Sequence, residues 1–239
     1  MELPLETGTQ TTRDGPERQV FRNIQHEDYE SPRDVPYRHI DVLGNGHYGF
    51  VDEVEAKSQQ ADGSTAVTYA RKTILVQKAR SAETTRRIRN EIDIMKRLDH
   101  EHVIRIAATY TVGNRFAILM QPVATMNLAE YMDRHPKPAS DSPMRCWFGC
   151  LASSLAYLHS ERIKHRDIKP ANILIKGATI ILTDFGIAHD VQDDLTSSTV
   201  GTVDSKTPMY CAPEVADEKR RGRAADIFSL GCVFLEMAT

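Results

Sequence analysis

His165-Arg166-Asp167-Ile168-Lys169-Pro170-Ala171-Asn172, followed by Asp184-Phe185-Gly186, is the stretch on which the reading of this chain turns. It sets two carboxylates, a lysine and a carboxamide in two short loops at a fixed separation. That is the side-chain set needed to hold a magnesium nucleotide and to orient a hydroxyl beside it. One such tripeptide is weak evidence. The ordered pair, with Asn172 placed five residues after Asp167, is a specific signal.

The 239 residues suffice for one large domain or two lobes with a sizeable core. A composition of 41% hydrophobic and 26% charged residues is ordinary for a globular protein. The net charge of -3 gives no reason to expect a nucleic-acid partner. No apolar run approaches the roughly eighteen residues of a membrane span. Met1–Gln10 lacks the apolar core of a signal peptide. Four cysteines are too few and too scattered for a disulfide framework, so the chain reads as intracellular, cytoplasmic or nuclear. Cys146 and Cys150, four apart near Trp147, read as packed small hydrophobes rather than a metal site.

Residues 1–36 are polar and carry Pro4, Pro16, Pro32 and Pro36, which predicts a disordered tail. Order begins at Tyr37. Strands are expected around Ile40–Leu43, Phe50–Ala56, Thr65–Ile74, Ile104–Val112 and Arg115–Met120, with hairpin turns at Asp62-Gly63 and Gly113-Asn114. Ser81–Leu98 switches to helical spacing. Past Gln121-Pro122-Val123 the pattern is helical. Asn127 caps a short helix to Arg134, and a longer helix beginning at Asp141-Ser142-Pro143 buries Trp147, Leu151, Leu155 and Leu158. The expected architecture is α+β: a small unit over 37–123 with five antiparallel strands and one helix, then a mainly helical unit over 124–239.

Gly44-Asn45-Gly46-His47-Tyr48-Gly49-Phe50-Val51 lies between two strands, where a dinucleotide-binding fold would need a strand followed by a helix. Its glycines let a backbone approach phosphates. Alone the motif is weak; its place ahead of Ala70-Arg71-Lys72 strengthens it. With these residues assembled, the chain resembles the eukaryotic-type protein kinases from about residue 37 to 239. Lys169-Pro170 resembles the serine/threonine branch, because the tyrosine branch usually carries an arginine-bearing catalytic loop.

The resemblance implies a two-lobed fold and a set of roles. Lys72 holds nucleotide phosphates and is itself held by Glu91. Gly44, Asn45, Gly46, Tyr48 and Gly49 cover the phosphates. Val51, Ala70 and Leu174 sandwich adenine, Met120 backs the pocket, and the backbone from Gln121 to Val123 reads the adenine edge. Pro122 has no N–H, so the donor there falls to Val123. Asp167 accepts or orients the substrate hydroxyl's proton, and Lys169 neutralises the transferring phosphoryl group. Asn172 and Asp184 ligate magnesium through hard oxygens. His165 and Phe185 are packing residues. The implied cosubstrate and cofactor are ATP and Mg2+, and the implied partners are a protein substrate and an upstream activating kinase.

Arg166 beside Asp167 is a cation suited to a phosphate on the polar loop running to Ala212-Pro213-Glu214, with Thr202 the leading acceptor. Thr207-Pro208-Met209-Tyr210 resembles the segment that meets substrate, although Lys206 stands where the family usually has glycine. Ala225–Gly231 resembles the start of the family's central helix, with Asp226 bracing the catalytic loop. The sequence stops at Thr239, within that helix and before the family's last helices and the arginine that pairs with Glu214. Uncovered, Ile227, Leu230, Val233, Phe234 and Leu235 would each forfeit about 1.5–3 kcal/mol. The chain is therefore expected to be a fragment, a truncated product, or a domain that associates through this helix. The rival reading is a catalytically inactive module of the same fold that binds nucleotide or a partner. A kinase for small molecules fits less well, because Thr207–Glu214 points to a protein substrate.

Overall fold

The computed structural model describes residues 26–46, 49–57, 67–75, 96, 98–135, 144–185, 208–216 and 222–239. Strands β1 (His26–Tyr29), β2 (Tyr37–Gly46), β3 (Gly49–Ala56), β4 (Thr68–Leu75), β5 (Arg105–Val112) and β6 (Arg115–Gln121) form one sheet in the order β1-β5-β6-β4-β3-β2. Strand alternation decides its faces. Ala70, Lys72 and Ile74 of β4 are buried on one side. Phe116–Met120 of β6 are all buried, as befits a central strand covered on both sides. The inner face joins the main core through Ala70, Ile74, Ile118 and Met120. The outer face packs Val54, Tyr110, Ala117 and Leu119 under Val35. The turn at Asp62-Gly63 and the helix expected at Ser81–Leu98, apart from Lys96 and Leu98, lie outside the described residues.

The sheet has six strands, where five antiparallel ones are expected. The sixth is β1, inside the stretch read as a tail, and it pairs parallel with β5. Polarity misleads there, because the polar side chains bond to protein. His26 Nδ1 lies 3.0 Å from Thr109 Oγ1, and Thr111 Oγ1 donates to Asp28. Tyr29 meets Tyr110 edge to face at 5.5 Å. The outer face also holds a partly buried ion pair: Arg71 donates from Nε and Nη2 to the two oxygens of Asp52, at 2.9 and 2.5 Å. Arg71 Nη1 donates to Tyr110 Oη at 3.0 Å. The bidentate geometry offsets part of the desolvation cost of burying the Asp52 carboxylate.

Beyond Gln121 the chain forms a three-stranded sheet from β7 (Met126–Asn127), β8 (Ile173–Lys176) and β9 (Thr179–Leu182), with helices α1 (Leu128–Arg134), α2 (Met144–Ser160), α3 (Pro213–Ala216) and α4 (Arg223–Ala238). Asn127 caps α1, its Oδ1 accepting from Glu130 N at 3.0 Å. Trp147, Leu151, Leu155 and Leu158 form the buried stripe of α2, as their spacing predicts. Of the expected cysteine pair, Cys150 is half-buried but Cys146 is exposed. On α4, Leu230 and Val233 are buried, and Phe234 packs on Phe148 with ring centroids 4.8 Å apart. Only Ile227 and Leu235 of the five side chains expected to lose cover are exposed. Alpha-helical spacing turns the other three toward α2 and the turn beneath α4.

Helix α2 ends in a left-handed residue that is not glycine. Arg162 has φ 64, Ile163 N donates to Leu158 O at 2.9 Å, and Arg162 N donates to His159 O at 3.2 Å. This is the Schellman arrangement, which favours glycine at the Arg162 position. Arg162→Gly is expected to stabilise the fold by about 0.5–1 kcal/mol. A higher urea midpoint at unchanged slope would show it; an unchanged or lower midpoint would contradict it.

Candidate active site

The site is assembled from four pieces of chain that sequence distance keeps apart. Strand β4 carries Lys72 among apolar neighbours, so its ammonium is buried and requires a partner. It finds one in Asp184: Lys72 Nζ lies 2.8 Å from Asp184 Oδ1, and the two residues are 112 positions apart. Asp184 has φ 61, a left-handed backbone that Asp tolerates better than most residues. The turn presents its carboxylate away from the core while Phe185 next to it is buried.

The loop before β8 supplies the rest. Pro170–Asn172 form a single 3-10 turn, closed by Asn172 N donating to Lys169 O at 2.9 Å. That turn aims Asn172 back at Asp167, and Asn172 Nδ2 donates to both Asp167 O and Asp167 Oδ2 at 2.8 Å. The carboxamide nitrogen is thereby committed, and Oδ1 remains as the oxygen to offer a cation. Lys169 Nζ lies 2.8 Å from Asp167 Oδ2. Thr183 N donates to Asn172 O at 3.1 Å and ties the two loops together just before Asp184. Asp167, Lys169 and Asn172 thus form one polar face, and the Lys72–Asp184 pair is joined to it through the Thr183–Asn172 backbone bond.

Behind that surface lies the base of the loop. Asp226, buried on α4, accepts from His165 N at 2.9 Å and Arg166 N at 2.8 Å. This is the bracing expected of it. His159 also approaches Asp226, with Nε2 2.9 Å from Oδ2. That contact has no signal in the sequence, since the two residues stand 67 apart. Arg166 has φ 70, so the loop is held in a strained conformation where it presents Asp167. His165 is fully buried and meets Phe185 edge to face at 6.2 Å. Burial pushes its imidazole below its ordinary value, against the pull of Asp226, Asp167 and Asp184. A packing histidine is what the sequence reading expects.

The apolar side of the site is also continuous. Ala70 and Met120 are cross-strand partners and belong to the main core, against which Val51, Val123 and Leu174 pack. Gln121 leaves β6 with Nε2 donating to Thr68 O at 3.2 Å. Gly44, Asn45 and Gly46 end β2 and Gly49 opens β3, with Gly46 and Gly49 paired across the turn. A Cβ built on Gly44 would meet nothing within 4 Å, so the space beside it is open. Tyr48, Glu91 and Thr202 lie outside the described residues. Beside the loop to α3, Tyr210 Oη donates to Glu236 Oε2 at 2.5 Å, and burial with that carboxylate raises the phenol above its ordinary value.

Comparison with known proteins gives the same picture. The protein kinase domain family matches residues 37–239. The chain is 33% identical over 196 residues to serine/threonine-protein kinase fused of Drosophila melanogaster, covering 82% of this chain and 23% of that protein. It is 32% identical over 203 residues to serine/threonine-protein kinase 36 of Pongo abelii, covering 84% of this chain and 14% of that protein. It is likewise 32% identical over 202 residues to serine/threonine-protein kinase TIO of Arabidopsis thaliana, covering 84% and 14%. The chain thus spans less than a quarter of the length of these relatives. With the family match covering most of its length, the chain belongs to the protein kinase family.

Proposed function

We propose that this domain transfers the γ-phosphoryl group of ATP to serine or threonine hydroxyls of protein substrates. The observation that carries the reading is the Lys72–Asp184 contact at 2.8 Å, which joins the sheet to the loop after β9, itself tied by Thr183 N to the loop holding Asp167 and Asn172. The donor set fits magnesium: Asp184 supplies a carboxylate and Asn172 a carboxamide oxygen, and that ion commonly takes one or two protein ligands besides phosphate oxygens and water. Bound there, it would screen the negative charge of the triphosphate. Adenine fits against Val51, Ala70, Met120, Val123 and Leu174, which pack on one core. Val123 N–H is the hinge donor.

The remaining steps belong to this chain's own groups. Asp167 orients the acceptor hydroxyl and takes its proton at the carboxylate, while Lys169 faces the charge developing on the phosphoryl oxygens. Because the transition state is loose, positioning and charge complementarity carry most of the rate. Glu91 holds Lys72 when the site is assembled. Phosphorylation of Thr202 by an upstream kinase stabilises the active arrangement through Arg166. The free thiols at Cys146, Cys150, Cys211 and Cys232 suit a reducing, intracellular compartment. No helix among the described residues is long and apolar enough to cross a membrane.

The direct test is transfer of labelled phosphate from ATP to peptide libraries offering serine, threonine or tyrosine, with the Asp184→Ala chain beside it. Serine and threonine libraries are expected to be labelled by the parent chain alone. Folded protein that binds ATP and labels nothing would establish the inactive binding module instead. Thr202→Ala is expected to lower activity about 10-fold or more where the parent is phosphorylated. Full activity of that variant in a matched preparation would sink the switch.

A further inference from the structure

The turn after Asp99 holds two histidines that the chemistry above does not use. His100 is wedged between this turn and α2, its ring stacked on Tyr157 with centroids 5.0 Å apart. His102 N donates to His100 Nδ1 at 3.1 Å. Nδ1 must therefore be the unprotonated nitrogen, and Nε2, 3.2 Å from Ser153 Oγ, carries the proton. His102 uses its own Nδ1–H differently, donating to Ile180 O at 2.9 Å. The rings of the two histidines are 5.9 Å apart. A second proton on His100 would sit on Nδ1 and face the His102 N–H, placing two donors against each other.

The same turn is laced to β9. Leu182 N donates to His102 O and Ile104 N donates to Leu182 O, both at 2.9 Å, and Val103 forms a parallel bridge with Leu182. Leu182 ends β9, and the chain reaches Asp184 directly after Thr183. The hydrogen bond to His100 thus shapes the turn whose backbone registers the strand leading into Asp184.

We propose that His100 is a positioning residue for phosphoryl transfer: as a neutral acceptor it holds the turn 99–103 on β9, and its protonation releases that hold. The rate consequence rests on the kinase reading; the latch rests on the fold alone. The charged and titratable groups around His100 come from each element nearby. Asp99, Glu101 and His102 lie in the turn, Lys96 precedes it, Arg105 opens β5 and bonds Asp99 at 2.7 Å, and Tyr157 and Cys150 come from α2. Strand β9 contributes the carbonyl of Ile180. Burial is the largest influence and His102 adds to it, both lowering the His100 pKa below its ordinary 6.5; Glu101 and Asp99 pull the other way without reversing the direction. The unfolded chain therefore binds this proton more readily than the folded one. The stabilisation from the neutral ring is present above the ordinary value and is lost as pH falls through it and below.

The test uses the full chain, His100→Asn and His100→Phe. Asn offers an acceptor oxygen at the same place along the side chain and does not titrate. Phe keeps the stack on Tyr157 and loses the acceptor. Amide exchange at Leu182 and Ile104 is measured at matched pH between about 5 and 8, with kcat and the KM for ATP. Between the two ends of that range the parent chain is expected to lose about 10-fold more protection at these amides than His100→Asn. His165 titrates in the same direction in both chains, so only their difference is read. His100→Phe is expected to show low protection and a several-fold lower kcat at every pH, with KM for ATP little changed. His100→Asn is expected to restore kcat and to flatten the acid limb of the pH profile. If His100→Asn follows the parent across the range, or His100→Phe protects Leu182 as well as the parent does, the latch is overturned. If exchange behaves as expected while kcat stays flat among active variants, the positioning role is overturned. If the parent chain itself transfers no phosphate at neutral pH, the kinase reading fails while the exchange result still decides the latch.

Discussion

Lys72→Met is expected to cut phosphoryl transfer by about 10³-fold while leaving the chain folded. The magnitude follows from what the ammonium does. It is buried and lies 2.8 Å from Asp184 Oδ1, and in the proposed reaction it meets the phosphate oxygens. Interactions with charge in a water-poor site are worth far more than the same contacts in bulk water. Stability should respond weakly, because the partner Asp184 side chain is 34% exposed and can be rehydrated. Asp184→Asn should reproduce the loss of rate for a different reason, since the carboxylate is replaced by a neutral amide on the same left-handed backbone. The check is kcat/KM beside a urea melt for each variant. A large drop in midpoint with little change in kcat/KM would assign Lys72 a structural role and remove the core of the functional reading.

Local signals predict the elements whose cause is local. Asn127 is an N-cap by residue type, and its oxygen bonds Glu130 N as that type predicts. The α2 stripe follows from periodicity, and the turn at Gly113 has the positive φ that its glycine allows, at 60. Strand β1 was hidden because its signal is not local. Its polar side chains are satisfied by threonines on β5, more than eighty residues away. The ion pair of Asp52 with Arg71 escaped for a related reason. Two charged residues in strands read as solvent-facing, yet Asp52 is buried, and Arg71, half-buried, bonds both Asp52 and Tyr110.

The site divides in the same way. Asp167, Lys169, Asn172 and Asp184 are legible because their spacing within two loops is itself the chemical requirement. Lys72 is legible from an unpaired charge in an apolar strand, although its contact with Asp184 needs the fold. The contribution of His159 is invisible at sequence level, because nothing around a histidine in the last turn of a helix names a carboxylate on α4. The exposed face of α4 is smaller than helical periodicity alone suggests. Val233 and Leu230 are turned inward, which leaves Ile227 and Leu235 as the main apolar surface there beside Phe228.

Asp226→Ala is expected to be the most destabilising single change among the residues discussed, at about 3–5 kcal/mol. Three donors converge on this buried carboxylate: His165 N, Arg166 N and His159 Nε2, at 2.9, 2.8 and 2.9 Å. Removing it strands two backbone N–H groups beneath the loop, where water has poor access, and leaves a cavity next to them. Against a total stability of about 5–15 kcal/mol, the variant should sit near the edge of folding at room temperature. Asp226→Asn separates the charge from the space. It fills the volume and keeps one acceptor, but its amide nitrogen opposes a donor, so about half the loss is expected to remain. Rate should fall further than stability predicts. The carboxylate holds Arg166 at φ 70, one residue before Asp167, and relaxation of that strained backbone would swing the Asp167 carboxylate away from Lys169 and Asn172. Urea melts and kcat on Asp226→Asn at a temperature where it remains folded decide the matter. Parent-like kcat in a destabilised chain would show that Asp226 supports the fold without setting the catalytic loop.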